Sequence, residues 1–587
     1  MTTGIDVAVA AIPLLLAGVL LVGLLWPATR AMPLAWVAAL AVGYFAWNMP
    51  VNWLAAASAV GVITAITILW IVFGALVLLY TLMEAGAFDR INRGFATVSD
   101  DRRVQIVLIA FFMATFIEGA AGFGTPAAVV APLLLGLGFP ALAAVVAAII
   151  GHIIAVTYGA VGTPIVVGIQ NPMENVEFTR TAIEEGGMTV QEFSVEVAAW
   201  AATYHALVGF VMPLFAVGMT VYFFGDPDER SLAPAWEVAP LCLFAGISFA
   251  VPYWISAWFL TAEFPALIGS MVGGSIVLSV LRAGYFLPDE EWEFPDRDRW
   301  EDHWVGSIEP GQSNGSNGAE SRGGVSPEAE AADISDVDED MSLLKAWSPY
   351  IALVILLVVT RAVDPISSFI GSDLFVIGFS DIFGTTLGGS FAWMSVPGFW
   401  LIVSAVLAIP IFGMSGKEVG DAWKEAGRKI VSPFIALVFV IAMVQVMLQS
   451  GAHPGAPEVG SMIVLLAQTT ADTLGVAYPA FASLIGALGA AMAGSNTVSN
   501  ITFGAFQFEA ATQLGLPRTI IVGAQAVGGA IGNLVAIHNL VAALATVGLL
   551  GQEGRVMRLN MIPLLYYATG VGLLCLLFSY VLFPGVF

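Results

Sequence analysis

The stretch GSNTVSN, residues 494–500, lies within a run of apolar residues that otherwise reads as a membrane span. Lipid offers no hydrogen bonds, so small and polar residues at that depth are tolerated only where protein or a water-filled cavity surrounds them. A second interruption, GAAGFGTP at 119–126, sits in an equally apolar setting. The arrangement of the chain around these two interruptions decides the fold.

The 587 residues are 58% hydrophobic and 11% charged, whereas soluble domains carry roughly 25% charged residues. Apolar runs of about 20 residues, each long enough to cross about 30 Å of hydrocarbon, recur along the whole chain. The composition therefore predicts an all-α, polytopic membrane protein and leaves no segment for a soluble catalytic domain. The first run, Val7 to Trp26, lacks a basic leader and a small-residue cleavage site and reads as a span. Cys242 and Cys575 lie in apolar segments and suggest neither disulfide nor metal site.

Much of the net charge of −24 is concentrated in one place. Residues 284–343 form an acidic, Gly/Ser-rich segment with about 17 Asp/Glu against three Lys/Arg, the composition of a disordered linker. Basic residues elsewhere fall in clusters: Arg90, Arg93, Arg102 and Arg103; Arg282 and Lys345; Lys417, Lys424, Arg428 and Lys429; Arg555 and Arg558. Loops 171–195, 363–394 and 450–458 are nearly free of them. The positive-inside rule then places the clusters and the linker in the cytoplasm, the three loops and both termini outside, and about 12 crossings between.

Two segments cannot cross under these constraints. Residues 104–138 must return to the inside and 477–515 to the outside, so each is expected to be a re-entrant hairpin broken at its polar tip. The first belongs to an N-terminal membrane half, 1–283, and the second to a C-terminal half, 344–587. LGFPALAAVVAAIIG (137–151) and LGLPRTIIVGAQAVG (514–528) follow the hairpins with Leu-Gly-x-Pro and a later Gly in register, which marks an internal repeat. Hairpins entering from opposite faces make it an inverted repeat, a common plan of secondary transporters.

The tips supply the candidate site. Ser495, Asn496, Thr497, Ser499 and Asn500 can cap half-helices or meet an anion at a helix N-terminus, and Gly122, Gly124 and Thr125 offer close backbone approach. The following helices also break, at TYGAVGTP (157–164) and GNLVAIHN (532–539). Glu118 is disfavoured as an anion by desolvation and is a candidate proton carrier, with His152 and His538 beside it in role. Gln507, Asn539 and Tyr158 are candidates for a substrate hydroxyl. No metal signature, phosphate loop or nucleic-acid stripe occurs, so no cofactor is expected.

FIEGAAGFGTPAAVVAPLLLGLGFPALAA (116–144), YGAVGTPIVVG (158–168), GSNTVSNITFGAFQ (494–507) and VGLLGQEGRVMRL (547–559) resemble the signature blocks of the L-lactate permease family. The resemblance implies a secondary transporter of the cell membrane for L-lactate, and often D-lactate or glycolate, coupled to protons. It also implies kinship with an ion transporter superfamily in which hairpin tips hold a carboxylate and, in some members, sodium. The sequence departs from the family pattern at Asn496, Asn533 and His152, where many members carry Asp, Lys and Asn. A sodium-coupled carrier for another small carboxylate is the alternative within transport. An intramembrane hydrolase using Ser495 or Ser499 with His538 as base is the alternative outside it. The partners expected are a small carboxylate and the bilayer; oligomeric state is left open, a homodimer among the options.

Overall fold

In the computed structural model, residues 4–24, 26–88, 90–91, 98–122, 124–308, 310 and 341–587 are described. The protein is an all-α polytopic membrane protein: among the described residues, twelve helices are long and apolar enough to cross a bilayer. Helices dominate because they satisfy every backbone donor and acceptor internally. A short antiparallel ribbon, Ile377–Phe379 against Gly389–Phe391, occurs in a loop.

The segment after Asp101 forms the first hairpin. One arm runs from Arg102 through a stretch of wide turns, Ile106–Met113, to Ala120; the other is Thr125–Gly136. Its two ends meet, with the Arg102 guanidinium 5.7 Å from the centre of the Phe139 ring. By length alone the first arm would count as a crossing, but its 18-residue apolar window is wholly buried. A helix apolar on every side and sheathed by protein has no face for lipid.

The second hairpin pairs Tyr478–Ala493 with Asn496–Leu514. The Tyr478 hydroxyl donates to Gln507 Oε1 at 2.7 Å, Gln507 Nε2 donates to Ala482 O at 3.0 Å, and Ser499 Oγ donates to Gly486 O at 2.7 Å. Partners grow closer in sequence toward residue 494, as antiparallel arms require.

The helical run Val190–Phe224 separates the bases of the two hairpins. Its 35 residues span about 50 Å. Near its start, Glu196 Oε1 accepts from Thr519 Oγ1 at 3.1 Å, beside the base of the second hairpin. Beyond its end, Pro234 O and Glu237 Oε2 accept from Arg103 Nη1 at 2.9 and 2.7 Å, at the base of the first. That base is pinned by Asp101, fully buried, whose carboxylate accepts from Arg103 Nη2 at 2.7 Å and from the backbone N–H groups of Arg103 and Trp292 at 2.8 Å each.

Each hairpin is followed by a broken helix. Ala141–Gly151 tightens into a 3-10 turn, Ile153–Tyr158, and then into three left-handed residues, Ala160, Val161 and Gly162, with φ of 44°, 54° and 75°. A β-branched residue there is a conformational outlier costing about 1–2 kcal/mol. Gly162 packs on the backbone of Ala262 and Glu263, leaving no room for a Cβ. The second broken helix is Arg518–Gly532, a 3-10 turn at Asn533–Val535, an extended Ala536, and Ile537–Thr546 after a bend of 45°.

Two features differ from the sequence expectation. The acidic segment is ordered in its first part: the backbone at Glu290 and Trp292 bonds to Arg103 and Asp101, Trp304 is buried, and Ser307 N donates to Gly548 O at 2.9 Å. Tryptophans supply anchors that the acidic average conceals. Residues 309 and 311–340, and Arg93 and Phe123, lie outside the described residues. Helices also form at Met462–Leu474 and at Gly416–Lys429, the latter begun by a capping box of Ser415 and Glu418.

Candidate functional site

Both hairpin tips turn on left-handed glycines: Gly122 and Gly124 at φ 61° and 78°, and Gly494 at φ 61°. Such a conformation is open to glycine at no steric cost. Gly494 has a second reason to lack a side chain, since a Cβ there would strike the His538 ring. Beyond each glycine a half-helix starts and leaves its first N–H groups without helical partners. At the second tip Ser495 Oγ accepts from Val498 N at 3.4 Å, while the N–H groups of Asn496 and Thr497 precede the helical ladder.

The tips and the two helix breaks close around one cavity. Glu118, Gly122, Gly124, His152, Gly494, Ser495, Asn496, Thr497, Asn533 and Asn539 line it, with Ala127, Ile149 and Val156 as its apolar side. About 30 Å³ is open to the centre of a water-sized sphere, room for about two waters. Among the described residues, no lysine or arginine lines it.

Asn496 is 2% exposed, and neither its amide nitrogen nor its amide oxygen has a hydrogen-bond partner; Asn533 Oδ1 is likewise buried and unpartnered. Leaving such a group unpaired costs about 1–3 kcal/mol. Asn539 Nδ2 donates to Gly494 O at 3.4 Å, tying the second broken helix to the tip. His152 Nδ1 lies 2.7 Å from Ala148 O. A carbonyl only accepts, so Nδ1 carries the hydrogen, and in the neutral ring a bare Nε2 faces Glu118 Oε2 at 4.0 Å.

Of the substrate candidates named from sequence, Gly122, Gly124, Ser495, Asn496, Thr497 and Asn539 line this cavity. The others are engaged elsewhere. Thr125 N closes the first tip on Gly122 O at 3.0 Å. Ser499 bonds Gly486 O and accepts from Gln525 Nε2 at 3.0 Å, and Asn500 Nδ2 donates to Pro164 O at 3.0 Å. Gln507 is held between the hairpin arms, and the Tyr158 hydroxyl donates to Ala198 O. Apart from Thr125, which is engaged through its backbone, these face inward from helices whose polar side chains fasten one element to another, a use that residue type alone does not distinguish from binding. Asn533 was not among the substrate candidates; its place inside a helix break was the available signal.

His538 belongs to a different space. With Gly494, Ser495 and Asn539 it lines a second cavity of about 250 Å³ that backs onto the same tip and extends past Thr29, Met32, Pro433 and Leu437. Pro433 stands near the start of the helix Val431–Gln449. Gln449, at the other end, lines a vestibule of about 1240 Å³ with Arg180, Ser390 and Glu509. No hydrogen bond joins Ser495 or Ser499 to His538 among the described residues, so a serine-histidine pair is not assembled. No cluster of His, Cys, Asp or Glu among the described residues could hold a metal ion.

Helices long and apolar enough to cross a membrane, with two broken hairpins whose tips meet at a cavity of small and amide residues, have the layout of a membrane transporter. The chain belongs to the L-lactate permease family, whose sequence profile matches residues 6–582. It is 27% identical to the glycolate permease GlcA of Escherichia coli K12, over 99% of this chain and 97% of that protein. It is 28% identical to the L-lactate permease of Bacillus subtilis, over 83% of this chain and 80% of its relative. These relatives bear the names of transporters and not of enzymes. Among solved structures, the YdaH transporter of Alcanivorax borkumensis overlaps 88% of this chain and 86% of its own, at 13% identity and a TM-score of 0.39.

Proposed function

We propose that the chain imports a small 2-hydroxymonocarboxylate of the lactate and glycolate kind across the cell membrane together with a proton. The substrate class follows the names of the relatives. The coupling rests on one observation: Glu118 lines a cavity that, among the described residues, no lysine or arginine lines.

An anionic substrate beside an anionic Glu118 would be repelled. At about 4 Å and an effective dielectric of about 20, two like charges repel by about 4 kcal/mol, roughly a thousandfold in affinity. Protonation of Glu118 removes the repulsion, so the carboxylate and the proton bind together. The carboxylate then accepts from Asn496 Nδ2 and from the free N–H groups that open the helix Asn496–Leu514. His152 Nε2 faces Glu118 and offers the proton a second seat. On this reading the cavity seen here is contracted, and the tips part in turn toward the vestibule and toward the cavity behind Gly494. The vestibule faces outward with both termini, and the acidic segment lies in the cytoplasm.

The test is uptake of labelled lactate and glycolate into proteoliposomes, with a pH gradient, a sodium gradient and a membrane potential imposed separately. Uptake driven by the pH gradient and indifferent to potential is expected, because one lactate with one proton is neutral. Each further cation would add about 2.3 kcal/mol per 100 mV. Dependence on sodium alone would overturn the proton, and absence of uptake of either acid would overturn the substrate class.

A further inference from the structure

We infer that Asn533, beside Asn496, reads the substrate's 2-hydroxyl and so separates 2-hydroxy acids from short-chain acids that lack it; this rests on the carboxylate-transport reading above. Gly529 and Asn533 stand four residues apart, one turn along the same face. The Asn496 amide lies against Gly529: a Cβ built there would be 3.0 Å from Asn496 Cγ. The two asparagine amides therefore share one wall of the cavity.

Their buried unpaired atoms are one donor, Asn496 Nδ2, and two acceptors, Asn496 Oδ1 and Asn533 Oδ1. A carboxylate only accepts, so it can use the donor and leaves both acceptors unmet. A hydroxyl on the adjacent carbon supplies the missing hydrogen within one carbon of the carboxylate. Of the hydroxyl partners suggested by the sequence, Asn539 also lines the cavity but has its nitrogen on Gly494 O, and its oxygen is not among the buried unpaired atoms; the other two are occupied. Gln507 commits its amide oxygen to Tyr478 and its nitrogen to Ala482 and Gln525, and Tyr158 donates to Ala198 O. A 2-oxo acid has no hydrogen to give Asn533 Oδ1, and an unsubstituted acid would likewise leave that oxygen dry and unpaired. Ala127, Ile149 and Val156 then receive the remaining substituent.

The experiment uses the full chain in proteoliposomes preloaded with lactate, measuring exchange of labelled L-lactate against unlabelled lactate, glycolate, propionate and pyruvate. In the unmodified protein, propionate and pyruvate should need concentrations at least about 10-fold higher than lactate for half-inhibition. In Asn533→Val that ratio should fall to within about twofold, through weaker lactate binding, and Asn533→Ser, which keeps an acceptor, should fall between. Thermal stabilisation of the purified variants by the same acids reads the ratio even where exchange is slow. A ratio unchanged in Asn533→Val, or no discrimination in the unmodified protein, overturns the inference. If the unmodified protein exchanges no monocarboxylate, the transport reading fails instead.

Discussion

Gly529→Ala separates the fold from the site. Gly529 lies inside the helix Arg518–Gly532, where alanine is intrinsically better by about 0.8–1.0 kcal/mol. The added methyl, however, would collide with Asn496 Oδ1, would come within 3.0 Å of Asn496 Cγ, and would lie 3.4 Å from Asn500 Oδ1. Overpacking of this kind costs about 1–3 kcal/mol, so the net change in stability is expected to be at most about 2 kcal/mol. The Asn496 amide must swing away from the wall, and its hydrogen bond to an anionic ligand, worth about 1.5–3 kcal/mol, is lost. The transport efficiency kcat/KM for lactate should then fall about 10- to 150-fold, with a melting temperature close to that of the parent. Initial rates of uptake in proteoliposomes, alongside thermal unfolding in detergent, measure both. A variant with full transport would show that Asn496 does not need its seat against Gly529, and the carboxylate site would have to lie elsewhere.

Three further outcomes follow from other parts of the molecule. Glu118→Gln, neutral at every pH, should keep lactate exchange but lose accumulation driven by a pH gradient; normal accumulation in that variant removes Glu118 from the coupling. Ala127→Val, on the apolar side of the cavity, should depress lactate relative to glycolate by about 10-fold or more, since one methyl group is worth about 1–3 kcal/mol in such a pocket, and a competition assay reads the ratio directly. Asp101→Ala, which removes the buried carboxylate from Arg103 and from two backbone N–H groups while Glu237 still holds the guanidinium, should destabilise by about 3 kcal/mol; an unchanged thermal unfolding curve would refute the anchoring role given to this pair.

The two tips were legible in the sequence because membrane hydrocarbon makes every polar interruption costly, so GAAGFGTP and GSNTVSN could not be incidental. The charge clusters led to the expectation of opposite entrances, and in the structure the two hairpin bases are held by Glu196, near the start of one long helical run, and by Pro234 and Glu237, beyond its end. Side-chain roles within the motifs were less legible. Ser499 and Asn500 share a half-helix with Asn496 and Thr497, yet they fall on the side that meets Gln525 and Pro164. Which side faces the cavity depends on how the hairpin is rotated against the broken helices. That rotation is set by backbone-close packing at Gly486, Gly528 and Gly532, each of which meets main-chain atoms of the partner helix where a Cβ would stand. Asn533 was obscured for a related reason: in sequence it ends an apolar helix, and only the 3-10 turn after it presents its amide to the tips. The acidic segment misled in the other direction, since Trp292 and Trp304 outweigh their charged neighbours once a hydrophobic surface is within reach.

The lack of lysine and arginine among the described residues that line the cavity also bears on how such a carrier turns over. A carrier must release its substrate on the far side as readily as it takes it up, and a fixed arginine or lysine in a low-dielectric cavity would hold a carboxylate with an attraction of several kcal/mol at either face. Amides and helix N-termini attract more weakly, each terminus contributing about 0.3–1 kcal/mol and up to about 2 where partly buried. As proposed, Glu118 makes the affinity conditional: protonated, it permits the anion, and ionised, it expels it by the repulsion estimated above. On the proposed reading, the same carboxyl enforces co-transport and drives release, while the unpaired amides of Asn496 and Asn533 give the site its selectivity without a permanent charge.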